Sequence, residues 1–234
     1  MDWICIVIGV IFLICVLAGW IQGLFKVIIS VAGLIASIIV ATYLAPNISG
    51  YLEENTQIDD EIAIYIAEEL SFSEKGEETS KGVQVEVINE LQLPETLKST
   101  ILDNNNSEMY AALEATGIYE YIAKSIAVVI LNAIVFLGLM IISRVFFYSL
   151  GKAMQGLSKL PIVHSIDKIG GGFLGAMKGL IFIWIIFLLL SITSTSPISQ
   201  EMIVAINQFP IYKLLYDNNL LLDIVGDLTN VMFL

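Results

Sequence analysis

Residues 3–45 read WICIVIGVIFLICVLAGWIQGLFKVIISVAGLIASIIVATYLA, and Lys26 is the only charge among them. A hydrocarbon core about 30 Å thick is crossed by a helix of roughly 20 apolar residues. The stretch therefore holds two crossings, Trp3 to Ile21 and Val27 to Ala45, with a tight turn at Gly23 between them. Further along the chain lie two more runs of the same kind. Ser125 to Ser143 carries one strongly polar residue, Asn132, and a run from about Gly175 to Thr195 carries Lys178 at its start. A membrane barrel needs many short alternating segments, which these long continuous runs are not. The first run is expected to stay as a helix rather than be cleaved as a leader, because Met1 and Asp2 supply no basic n-region and the run is long enough to span.

Composition points the same way: 57% of the 234 residues are apolar and 15% are charged, far from the balance of a soluble domain. The expected fold is an all-α membrane protein with four transmembrane helices, an outer helical insertion and amphipathic C-terminal helices. Residues 1–45 form the first helix pair, 46–123 an acidic extracytoplasmic insertion, 124–196 the second pair with its basic link, and 197–234 an amphipathic tail. No apolar run in that tail approaches the length of a span, so interfacial or packed helices fit it better than a fifth crossing.

The formal charge of −12 is unevenly spread: residues 46–123 hold 17 acidic side chains against Lys75, Lys81 and Lys98. The link from Arg144 to Lys178 carries Arg144, Lys152, Lys159, Lys168 and Lys178 against Asp167 alone. Basic residues next to spans are retained on the cytoplasmic side. Lys26, Asp167, Lys168 and Lys178 are thereby expected at the cytoplasmic boundary, and the N-terminus, residues 46–123 and the C-terminus outside. Lys178 is expected one turn inside that boundary, with its ammonium snorkelling to the headgroups.

Within the insertion, Asp59 and Asp60 are expected to cap a short helix, and Pro94 to open another. Val83, Val85 and Val87 alternate with polar residues, so strand competes with helix there. Asn104, Asn105 and Asn106 form a turn from which Ser107 starts a helical stretch.

Two ribbons of small residues repeat every fourth position, Gly33, Ser37 and Ala41 in the second span and Gly171, Gly175 and Gly179 at the start of the fourth. Such ribbons permit close backbone approach between helices in lipid. The expectation is that they pack on each other, with reception of another protein as the alternative. Ile183 is expected to face lipid. Asn132 should face protein, since an unpaired amide in hydrocarbon is expensive. Cys5 and Cys15 read as small packing residues, about 15 Å apart along one helix and out of disulfide reach. His164 is the single histidine and has no cysteine near it. No nucleophile with a base, metal-ligand spacing or phosphate loop emerges, so the expectation is a protein without catalytic, cofactor-binding, metal or nucleic-acid-binding residues.

The run Gln22-Gly23-Leu24-Phe25-Lys26 between two apolar helices, and Lys159-Leu160-Pro161-Ile162-Val163-His164-Ser165-Ile166-Asp167-Lys168 leading into Gly170, Gly175, Lys178 and Gly179, resemble the colicin V production protein (CvpA) family. The likeness covers the four spans and both inner links. It departs in the large acidic outer segment, which short members lack, and at Gln22, where many members are basic. The resemblance implies a multi-pass protein of the bacterial inner membrane that supports bacteriocin production or export and envelope homeostasis without an established reaction. It also implies a membrane or envelope protein partner or a homo-oligomer. A small channel or transporter subunit formed by oligomerisation is the alternative, for which polar or charged residues lining a path would be the mark.

Overall fold

The computed structural model describes residues 3–70, 81–91, 93, 95–155 and 164–232. They form α1 (Trp3–Gln22), α2 (Leu24–Asn55), α3 (Ile58–Glu69), α4 (Lys81–Glu90), α5 (Glu95–Asp103), α6 (Ser107–Ala112), α7 (Ile118–Gln155), α8 (His164–Ile192), α9 (Pro197–Asn207), α10 (Pro210–Asp217) and α11 (Leu220–Met232). No strand occurs among the described residues. Four helices are long and apolar enough to cross a membrane, over Trp3–Gln22, Leu24–Asn55, Ile118–Leu150 and Asp167–Ile192. A helix satisfies its own backbone in lipid, which is why continuous apolar runs fold this way.

The helix of the fourth span is longer than its apolar run from about Gly175, since α8 begins at His164. The helix of the second span outlasts its apolar run, which stops at Ala45, for α2 continues through Pro46 to Asn55. Pro46 supplies no N–H to the carbonyl of Thr42, so one backbone bond is missing within that helix. Two local expectations need correction. The Val83–Val87 alternation lies inside helix α4 rather than a strand. Asp59 and Asp60 sit within the first turn of α3 instead of capping it, and Gln57 at the cap makes no side-chain bond. Carboxylates there still favour the positive end of the helix dipole. Asn106 is the cap that forms: its Oδ1 accepts from the backbone N–H groups of Glu108 and Met109 at 3.1 and 3.0 Å. Asp2, Lys75, Pro94, Lys159 and Pro161 lie outside the described residues.

The helices divide into two compact units, residues 1–44 with 136–186 and residues 45–135 with 187–234. The second unit gathers the acidic insertion and the C-terminal helices round one core. Here α11 packs on α5 and α4 on α5, and a Cβ on Gly226 would lie 3.4 Å from Thr100 Oγ1. The tail is thus packed, with Leu221, Leu222, Val225 and Leu228 buried. Tyr121 Oη donates to the Ile101 carbonyl at 2.7 Å, and the Tyr110 and Tyr121 rings stack at 4.7 Å. Phe187 meets Tyr216 edge-on at 5.5 Å, and Ser191 Oγ donates to Tyr216 Oη at 3.4 Å. A buried phenol is costly to ionise, and burial pushes Tyr216 up to about 12. Asn132 belongs to this unit and is 0% exposed.

The first unit contains α1, the first turns of α2, the end of α7 and most of α8. On α1 the side chains of Ile6, Leu13, Ile14 and Leu17 are exposed, and Trp3 and Trp20 near its two ends are 47% and 46% exposed. Bare apolar faces bounded by tryptophans are the pattern of a helix facing lipid between two headgroup layers.

Candidate functional site

The first unit is built on a backbone-to-backbone seam between α1 and α8. A Cβ on Gly19 would strike the Gly171 carbonyl and lie 2.8 Å from Gly175 Cα. One on Gly171 would strike the Gly19 carbonyl and lie 3.1 Å from Gly23 Cα. One on Gly175 would lie 3.2 Å from the Cα atoms of Val16 and Gly19, and one on Gly179 3.0 Å from Phe12 Cδ2 and 3.1 Å from Cys15 Cβ. Numbers rise along α8 as they fall along α1, so the two helices are antiparallel.

This corrects the expected partner of the fourth-span ribbon, which is α1 and not α2. The reason is that α1 carries Gly19 and is followed at the same four-residue interval by Gly23, letting both backbones approach. The α2 ribbon is enclosed elsewhere. Ser37 and Ala41 are buried, and a Cβ on Gly33 would lie 2.9 Å from Arg144 Nη1 and 3.5 Å from Phe147 Cβ, both on α7.

At the end of the seam Gly23 separates α1 from α2 with φ +81°, a left-handed conformation that a Cβ disfavours. Its N–H still reaches the Gly19 carbonyl at 3.0 Å. The Asp167 carboxylate occupies the space where a Cβ on Gly23 would stand. It thus lies against the start of α2, where the helix dipole favours negative charge. Lys168, the next residue, is exposed.

Beside the seam, α2, α7 and α8 enclose a cleft of about 340 Å³ lined by Gln22, Lys26, Ile29, Ser30, Arg144, Phe147, Tyr148, Lys152 and Lys178. Four of these are cations, and no carboxylate among the described residues lines the space. Arg144 Nη2 donates to Ser30 Oγ at 3.0 Å, which holds one edge of the guanidinium. Lys152 Nζ stands 4.7 Å from the centre of the Tyr148 ring and Lys178 Nζ 5.7 Å from that of Phe182. Lys26 and Lys152 are exposed, whereas Arg144 and Lys178 are half-buried.

Lys178 lies about four turns from the start of α8 at His164. Its neighbour Gly179 meets Phe12 and Cys15, which lie between Trp3 and Trp20 on α1. Cα–Cβ bonds tilt towards a helix N-terminus, so the ammonium leans back into the cleft. Ile183, expected to face lipid, is only 3% exposed.

The structure therefore brings together Lys26 and Lys178, which charge alone singled out as boundary residues, with Arg144, Lys152, Ser30 and Gln22. Arg144 had counted only as a link charge. Its signal in the sequence is its place one residue beyond an uncharged run, where a long side chain can fold back. Gly19 was missed altogether, although Gly19 and Gly23 form the same small-residue pair as the fourth-span ribbon. Asn132 lies in the other unit.

Residues 4–72 and 109–209 match the family model described as colicin V production protein. The unmatched interval between them lies inside the acidic segment and holds α4 and α5. No curated protein and no solved structure matches the chain.

Proposed function

The chain belongs to the colicin V production protein family, and from that premise we propose that it is a non-enzymatic factor of the bacterial inner membrane. In this reading it supports production or export of a bacteriocin-type toxin and the upkeep of the envelope, by helix packing and recognition of a membrane or envelope protein partner. The observation that carries the reading is the coincidence of the family match with all four spans. The chain is a multi-pass membrane protein of a family with a role in colicin production, and its glycine seam gives it a rigid frame on which a partner can be received. Residues 73–108, the interval of the acidic segment outside the family match, are the natural place for partner selectivity.

The test is a bacteriocin-producing strain lacking this gene. Toxin activity in the medium should fall relative to activity inside the cells, and the wild-type chain should restore it. Unchanged secretion and unchanged total toxin in the deletion strain would overturn the reading.

A second reading, a channel or transporter subunit formed by oligomerisation, gains from Arg144 and Lys178. The sequence offers only Asn132 as a polar group deep in a span, but the cleft adds two half-buried cations along a wall of the first unit. Chloride or phosphate flux into vesicles containing the purified chain, abolished in Lys178→Met, would favour it over a partner-binding role.

A further inference from the structure

We propose that the basic cleft of the first unit is a binding site for a phosphate-bearing anion, held by Lys26, Arg144, Lys152 and Lys178 with Ser30 and Gln22 as polar partners. The assignment goes beyond the role in toxin production and does not depend on it. Four like charges around one small space repel one another, the more strongly where apolar walls lower the local dielectric. The ordinary relief is a carboxylate, and none among the described residues lines the cleft. The unit has few to offer: residues 1–44 and 136–186 contain only Asp2 and Asp167 as acids, and the Asp167 carboxylate is against Gly23. The four cations are thus open to an anion from outside the chain.

The donor set narrows the class of anion. Arg144 is tethered by Ser30 on one nitrogen, which fixes the plane of the guanidinium and leaves its other N–H groups to form the paired bonds that suit a phosphate. The three lysines supply point charges from α2, α7 and α8, so their ammonium groups converge on a multivalent acceptor rather than one carboxylate oxygen. A volume of about 340 Å³ is at the small end of ligand sites, enough for a phosphate carrying a glycerol-sized group. Two sources supply that chemistry, an anionic phospholipid headgroup and a soluble phosphate ester. Phe25 and Ile28, exposed on α2 beside Lys26, give a lipid source apolar surface on which acyl chains can lie.

The full-length protein, purified in detergent and stripped of lipid, is titrated separately with phosphatidylglycerol, with phosphatidylcholine of the same chains, and with glycerol 1-phosphate. Bound ligand is read by native mass spectrometry and by the thermal shift. We expect phosphatidylglycerol to bind at least tenfold more tightly than phosphatidylcholine, with that preference lost in Lys178→Gln and in Lys26→Gln and kept in Lys168→Gln. Lys168 is a basic residue of the same unit that does not line the cleft. Lys26 is exposed, so its variant keeps the test valid should Lys178→Gln fail to fold. Binding of phosphatidylglycerol without glycerol 1-phosphate assigns a lipid, and binding of glycerol 1-phosphate at the same residues assigns a soluble ester. No preference for phosphatidylglycerol together with no binding of glycerol 1-phosphate would overturn the site. An equal loss in Lys168→Gln would do so too, because it would reduce the effect to net charge.

Discussion

At Gly175 the volume that a side chain would fill is occupied by the Cα atoms of Val16 and Gly19, each 3.2 Å from the place of a Cβ. Backbone cannot rotate away as a side-chain tip can, so Gly175→Leu must push α1 and α8 apart. Overfilling a packed contact costs about 1 to 3 kcal/mol, and here the lost seam adds to it. Thermal or chemical denaturation of the purified variant should show a loss in that range or an unfolded protein. Met177→Leu, at a position 44% exposed, should leave stability within about 0.5 kcal/mol. Ile183 cannot serve as the surface control, being 3% exposed. Equal stability of Gly175→Leu and the wild type would mean that the ribbon faces lipid.

Helix α8 shows what the sequence discloses about elements and what it withholds. The four spans are legible because an uncharged run of adequate length has few other outcomes in a chain this apolar. The start of α8 is not, since Asp167, Lys168 and Gly170 to Gly172 read locally as a polar, glycine-rich link. Glycine is a poor helix former, and what favours helix here is the contact with residues 15–23 of α1, distant in sequence and invisible to any local pattern. The same blindness hid the cleft: Arg144 and Lys26 are separated by most of the chain, and only the pairing of helices makes them neighbours. Asn104 to Asn106 read as a turn before Ser107 and the structure adds the cap at Asn106, whereas Asp59 and Asp60 misled because any acid near a helix start fits both a cap and a first turn. The antiparallel pairing of α1 and α8 has a direct test. A Cβ on Gly179 would lie 3.1 Å from Cys15 Cβ, a small shift short of the roughly 3.5–4.5 Å of a disulfide. Gly179→Cys in a Cys5→Ala background should therefore cross-link to Cys15 on oxidation. Cleavage at a protease site inserted within residues 156–163 would then leave the two halves joined until reduced. Fragments that separate without reductant, while Gly179→Cys joins instead to Ala41→Cys, would restore α2 as the partner of α8.

For the molecule as a whole, charge divides with the compact units. Residues 1–44 and 136–186 hold six basic side chains and two acidic ones, while residues 45–135 and 187–234 hold five basic and 21 acidic. In a bilayer this asymmetry acts as an orienting signal, because basic residues near spans resist translocation whereas acidic segments cross with little hindrance. Four spans then leave both chain ends on the side of the acidic segment, and put the Gly23 turn and the link around Lys159 on the other. The proposed toxin role and the anion site both take their meaning from that orientation, which decides whether the cleft meets the cytoplasm. The most direct test is a pair of single tags, one at Glu77 and one at Lys159, probed with an impermeant reagent in cells before and after permeabilisation. The tag at Glu77 should react in intact cells and the tag at Lys159 only after permeabilisation, whereas the reverse pattern, or reaction of both in intact cells, would contradict the account.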